Sequence, residues 1–152
     1  MITVEEFMTS ELCTLRETDS IIDARKIMTE KHIRHIPVTD GDSHMLGLVT
    51  QRDVLAATEP VLLKQEGTDS SATGAGTCLA DIMIRDVSII NNTDSLRKAA
   101  MYMQSHKYGC LPVMSDGRLV GIITDSDFVD IAINLIEQAE FSEDEMGAEE
   151  AM

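Results

Sequence analysis

Shifted by 75 positions, the 152-residue chain falls into register with itself. Met8 meets Met83, Thr18-Asp19-Ser20 meets Thr93-Asp94-Ser95, Ala24 and Met28 meet Ala99 and Met103, and Pro37-Val38 meets Pro112-Val113. One extra residue in the first copy then changes the shift to 74, so that Gly47-Leu48-Val49-Thr50 meets Gly121-Ile122-Ile123-Thr124 and Asp53 meets Asp127. The matches keep their order, which marks a duplicated unit. Neither copy can bury both faces of three short strands and two helices alone. Packing one copy on the other, sheet to sheet, supplies the missing core. The expected architecture is therefore α+β, with two pseudo-twofold-related β-α-β-β-α repeats in one body.

Each copy carries the same signals. Residues 12–15 and 87–90 read as short strands. Ser20 then caps a helix, with Asp23 where a capping box closes; Ser95 repeats the cap, but Lys98 replaces the acid. Ile21, Ala24, Ile27 and Met28 recur at helical spacing, as do Leu96, Ala99, Tyr102 and Met103. Strands follow over residues 35–39 and 45–50, and again over 110–114 and 119–124. Asp40-Gly41 and Asp116-Gly117 supply the hairpin turns. Pro37 and Pro112 cannot donate a ladder bond and are expected at a strand end or sheet edge. The last helix of copy one begins near Arg52 and meets Pro60, which should kink or end it. That of copy two runs from about Asp127 to Gln138. The boundaries follow: a first domain over 4–63, a flexible linker over 64–78 rich in Gly, Ser and Thr, a second domain over 79–138, and a tail over 139–152.

Charge narrows the functions. Twelve basic residues against 27 acidic ones give a formal charge of −15. Such a chain repels nucleic acid and anionic lipid, so neither is an expected partner. No apolar run approaches the roughly 18 residues of a membrane span, and the first residues lack the pattern of a signal peptide. Cys13, Cys78 and Cys110 are odd in number and far apart, which fits neither a disulfide framework nor a zinc ribbon and points to a reduced cytoplasm. From Glu137 onward there are seven acidic residues and no basic one; this tail is expected to be disordered.

The repeated Gly-apolar-apolar-Thr-x-x-Asp is the most informative motif. Thr50 and Thr124 fall at strand ends, with Asp53 and Asp127 one turn into the next helix. Free amides at a helix start suit a phosphate, a Thr hydroxyl beside them can donate to it, and an ionised Asp accepts the paired hydroxyls of a ribose. The same spacing is also a helix capping box, which needs no ligand at all.

The doubled pattern, with Met8-Thr9, Ile36-Pro37-Val38 and Gly47-Leu48-Val49-Thr50-x-x-Asp53 matched by Ile82-Met83, Leu111-Pro112-Val113 and Gly121-Ile122-Ile123-Thr124-x-x-Asp127, resembles a tandem pair of CBS domains, a Bateman module. The resemblance implies two related clefts that bind adenosyl compounds, commonly AMP, ADP or ATP. It implies a dimeric disc that regulates a partner protein and performs no catalysis, here of the stand-alone kind. It makes Asp53 and Asp127 the ribose carboxylates, Thr50 and Thr124 the phosphate-side hydroxyls, and Thr14 a residue near the base. Arg34, His35, Ile36, Pro37 and Arg52 in copy one, and Tyr108, Leu111 and Pro112 in copy two, complete the expected binding set. No resident cofactor or metal is required; Mg²⁺ would arrive only with a polyphosphate ligand. Ile89 stands where copy one has Thr14, and Asp125 at a helix start would repel a phosphate. The clefts are thus expected to be unequal, with Asp53→Ala more damaging than Asp127→Ala.

Other residues compete for function. His32, His35 and His44 are near in sequence but lack the convergent ligands of a metal site. Cys110 aligns with His35, yet nothing supplies the orienting group a thiol enzyme needs. Phe128, Ile131, Ala132, Leu135 and Ala139 form one apolar stripe, and Val129, Ile133 and Ile136 a second, for which another copy of the chain is the simplest partner. The rival to a sensor is an interaction scaffold with unused clefts.

Overall fold

The computed structural model describes residues 1–64 and 77–150, so nearly all of the expected linker lies outside the described residues. The halves repeat one plan. In the first, helix α2 (Ile21–Lys31) leads to strands β1 (His35–Thr39) and β2 (Met45–Thr50) and helix α3 (Gln51–Lys64). In the second, strand β3 (Ile90–Asn91) and helix α4 (Leu96–His106) lead to β4 (Cys110–Ser115), β5 (Arg118–Thr124) and helix α5 (Asp125–Glu150).

The local chemistry is repeated as well. The Ser20 and Ser95 hydroxyls accept the amides of Asp23 and Lys98 at the starts of α2 and α4. Both helices end on a left-handed residue, His32 at φ 54° and Lys107 at φ 56°. The β4–β5 turn is Asp116-Gly117 with φ of 49° and 78°, the two positive values that match the twist of a tight hairpin. The β1–β2 turn is longer. There Asp40 Oδ1 takes the amides of Asp42 and His44, which holds the carboxyl below its ordinary value.

Two equivalent cores result. Ile21, Ala24, Met28, Ile36, Val38 and Val49 form one; Leu96, Ala99, Met103, Leu111, Val113 and Ile123 form the other. The joint between them is an exchange. Helix α1 (Val4–Phe7) precedes the first half, yet Val4 is fully buried in the second core. Leu79, in the short 3-10 turn Leu79–Asp81 that precedes the second half, is fully buried in the first. Thr9 pairs with Ile122 on β5, and Ile84 pairs with Leu48 on β2. The repeats are thus joined through their sheets, each lending its leading segment to the other. Gly121 and Gly47 make this possible: a Cβ at Gly47 would lie 2.9 Å from the Ile84 carbonyl and 2.8 Å from Met83 Sδ, and one at Gly121 3.1 Å from the Thr9 carbonyl.

Four expectations need correction. The first strand of copy one shrinks to a single parallel bridge, Leu15 to Val38, and that of copy two to Ile90–Asn91. Asp19 and Asp94 explain this: each accepts the amide three residues back, of Arg16 or Asn91, and turns the chain toward its helix. Pro112 sits inside β4, between β3 and β5, rather than at an edge. It costs no rung because β3 reaches only Val113 and Met114. Pro37 is likewise asked only for its carbonyl, which accepts from Leu15 N. Helix α3 does not end at Pro60 but runs on to Lys64; a missing N–H removes one rung without preventing the turns on either side. Finally, α5 runs through the acidic tail to Glu150. Ala, Glu and Met dominate that segment and favour helix, which outweighs its lack of core-forming residues. Among the described residues no helix is long and apolar enough to cross a membrane.

Candidate functional site

The exchange opens two clefts, each walled by the Thr-x-x-Asp helix start of one half and by the leading segment and first-hairpin entry of the other. In the first cleft, a cavity of about 170 Å³ is lined by Leu48, Ile84, Asp86, Val87, Ser88, Tyr108 and Cys110 among others. A more open one of about 530 Å³ is lined by Arg34, Arg52, Asp53 and Gln51. Both share His35, Thr50, Ile84, Lys107 and Gly109, so they form one trough with an apolar end and a cationic end. The second cleft, about 230 Å³, is lined by Thr9, Arg34, His35, Thr124, Asp125 and Asp127 among others.

The two carboxylates differ. Thr50 Oγ1 donates to Asp53 Oδ2 at 2.9 Å and accepts from Asp53 N at 3.2 Å. The capping geometry therefore exists, but among the described residues it leaves Asp53 Oδ1 without a donor. Asp127 has a partner on each oxygen. Its Oδ2 accepts from Thr124 N at 2.9 Å and Thr124 Oγ1 at 3.2 Å, and its Oδ1 accepts from Thr9 Oγ1 at 3.0 Å. The counterpart of Thr9 in the first cleft is Ile84, which has nothing to donate.

The surrounding groups follow from the fold. Tyr108 stands at the rim, its ring 5.6 Å from His106 and nearly parallel to it, with Tyr102 4.2 Å beyond. The Ser88 hydroxyl donates to Tyr108 Oη at 3.4 Å, so the ring that faces the apolar end is held on two sides. Burial, aided by Arg34, pushes the His35 imidazole below its ordinary value. It is a neutral donor-acceptor between the clefts at neutral pH. Burial, with Asp125 and Asp127, pushes the Cys110 thiol up to about 12, far from the thiolate a nucleophile needs.

Of the expected residues, Thr50, Asp53, Arg34, His35, Arg52 and Tyr108 line the first cleft, and Thr124 and Asp127 the second. Thr14 is exposed and lines neither; the turn begun by Asp19 leaves its strand too short to reach them. Ile36 and Leu111 are buried in the two cores, and Pro37 and Pro112 are buried strand residues beside them; none of the four lines either cleft. His44 stays at the β1–β2 turn, with its Nδ1 2.9 Å from Asp40 Oδ2. Lys107, Ile84, Val87, Ser88 and Thr9 were not among the expected residues. Ile84 and Thr9 could have been found, since each follows the matched methionines Met83 and Met8 by one position.

Comparison with known proteins places this geometry. The CBS domain family model matches residues 4–59 and again 79–134. A crystal structure of a Vibrio cholerae protein assigned to acetoin utilization, AcuB, is 45% identical with a TM-score of 0.80, covering 92% of this chain and 98% of that one. CBSX2 of Arabidopsis thaliana, in complex with AMP, is 28% identical with a TM-score of 0.73, covering 89% and 98%. A CBS domain pair in complex with 5′-methylthioadenosine and S-adenosyl-L-methionine is 25% identical with a TM-score of 0.69, covering 85% and 98%. Among curated relatives, a homoserine O-acetyltransferase of Methanocorpusculum labreanum is 35% identical over 123 residues. The match spans 80% of this chain but only 22% of that enzyme. Another curated relative is covered over 41% of its length, so the chain spans less than half of these proteins.

Proposed function

Because the chain belongs to the CBS domain family, we propose that it is a regulatory module that binds an adenine nucleotide (AMP, ADP or ATP) in the first cleft and passes the change to a partner protein. The observation that carries this reading is the unoccupied Oδ1 of Asp53, at the mouth of a trough that is apolar at one end and cationic at the other. The base fits the slot of Leu48, Ile84, Val87 and Tyr108. The ribose diol donates to Asp53, and the phosphate meets the start of α3 with Arg52 and Lys107 nearby. A polyphosphate would bring its own Mg²⁺. Family members with AMP or S-adenosyl-L-methionine bound support an adenosyl ligand. Cys110, the nucleophile raised by the sequence, is buried and its thiol stays protonated.

The change is conformational. A ligand that touches both halves favours whichever arrangement of them it contacts best, and its reach is bounded by its differential affinity. The module acts as a homodimer in the cytoplasm, paired through the exposed apolar face of α5.

A thermal-shift panel with AMP, ADP, ATP, NAD and S-adenosylmethionine tests the reading. An adenine nucleotide at a hundredfold excess over its Kd should stabilise the chain by about 2.7 kcal/mol, and Asp53→Ala should remove that shift. No stabilisation by any of the five would leave the scaffold reading, which the exposed α5 face favours.

A further inference from the structure

Arg34 belongs to one half and is bound to the other. Its Nη2 donates to Asp125 Oδ1 at 3.0 Å and Oδ2 at 3.1 Å. The pair is about half exposed, 55% for the arginine side chain and 50% for the aspartate, so it is weakly held and easily exchanged. The guanidinium stands on the wall of both clefts. The equivalent pair on the other side, one residue from each half, is neutral. Asp125 N donates to the Gly109 carbonyl as Gln51 N does to the Arg34 carbonyl, so Gly109 stands for Arg34 and Gln51 for Asp125. The ion pair is therefore present on one side only.

Its position leaves the two clefts electrostatically unequal. The second holds two carboxylates, Asp125 and Asp127, against the single guanidinium. The first also holds two, Asp53 and Asp86, but sets Arg52 and Lys107 against them besides Arg34. Arg34 holds Asp125 through Nη2 alone, and turning the guanidinium onto a phosphate in the first cleft competes with that contact. When Arg34 leaves Asp125, the second cleft is left with two uncompensated acids, which repel any anion.

Resting on the nucleotide reading of the first cleft, we propose that Arg34 and Asp125 form a switch that limits the chain to one phosphorylated nucleotide: a phosphate in the first cleft draws Arg34 off Asp125, and the uncovered Asp125 and Asp127 then close the second cleft to anions. Asp125 thus determines stoichiometry, and Arg34 discriminates phosphorylated from unphosphorylated adenosyl ligands.

Calorimetric titration of the full chain with AMP and with adenosine tests this. The wild type should take one AMP. Arg34→Gln should weaken AMP about tenfold and leave adenosine within about twofold. Asp125→Asn keeps an oxygen for the Ser126 amide, which Asp125 now accepts at 2.9 Å, and should raise the count to two AMP per chain. Two equal AMP sites in the wild type, equal losses of AMP and adenosine in Arg34→Gln, or a single site in Asp125→Asn would each overturn the switch while leaving nucleotide binding intact. A wild type that binds neither compound would overturn the nucleotide reading, and the switch with it. Thermal melts of both variants confirm that the fold is kept.

Discussion

Thr9 and Ile84 hold the same place in the two halves, and one hydroxyl separates what the neighbouring carboxylates can do. Thr9 fills the second oxygen of Asp127; Ile84 leaves that of Asp53 open. Both residues are visible in the sequence, but their opposition to the acids is not, because it depends on segments crossing between halves. The motif itself was legible down to its ambiguity: Thr50–Asp53 and Thr124–Asp127 are indeed capping pairs, and only the three-dimensional surroundings separate them. The glycines before them are equally exacting. A Cβ at Gly47 would press on the Ile84 carbonyl, which is backbone and cannot swing aside. Gly47→Ala should therefore destabilise the chain by about 1–3 kcal/mol, read as a lower urea midpoint. Gly41→Ala, whose Cβ would meet only Arg16 at 3.5 Å, should stay within about 0.5 kcal/mol of the wild type. Equal midpoints for the two variants would contradict the close approach of the crossing segment.

Among the elements, α5 departs furthest from its surroundings. Phe128 and Ile131 pack on the second core, but Leu135 is 60% exposed, so the first stripe packs only over its first turns. Val129, Ile133 and Ile136 are 57%, 47% and 56% exposed along one face. Periodicity reported both stripes but could not say where the core ends, since that depends on how far the helix outruns the sheet. Nor did composition foresee the helix continuing to Glu150, because poverty in core residues does not lower helix propensity. Covering the exposed half of such side chains is favourable by about 1 kcal/mol each. If this face pairs two chains as proposed, analytical ultracentrifugation should show a wild-type dimer and an Ile133→Glu, Ile136→Glu monomer with an unchanged melting profile at low concentration. A monomeric wild type would contradict the pairing.

Over the whole molecule, duplication was plain from the sequence: strands 35–39 and 45–50, the Ser20 and Ser95 caps and the paired cores all appear where the repeat puts them. The exchange of leading segments was not, because Val4 and Leu79 look like ordinary apolar residues next to their own halves. That exchange builds each cleft from both copies, and so makes a ligand in one of them sensitive to how the halves sit. The most direct measurement is a crystal structure of the chain grown with AMP. The account predicts AMP in the first cleft, its ribose hydroxyls on Asp53 Oδ1, its adenine between Ile84 and Tyr108, and its phosphate at the start of α3 toward Arg52. AMP seated instead on Asp127 with the first cleft vacant would contradict it.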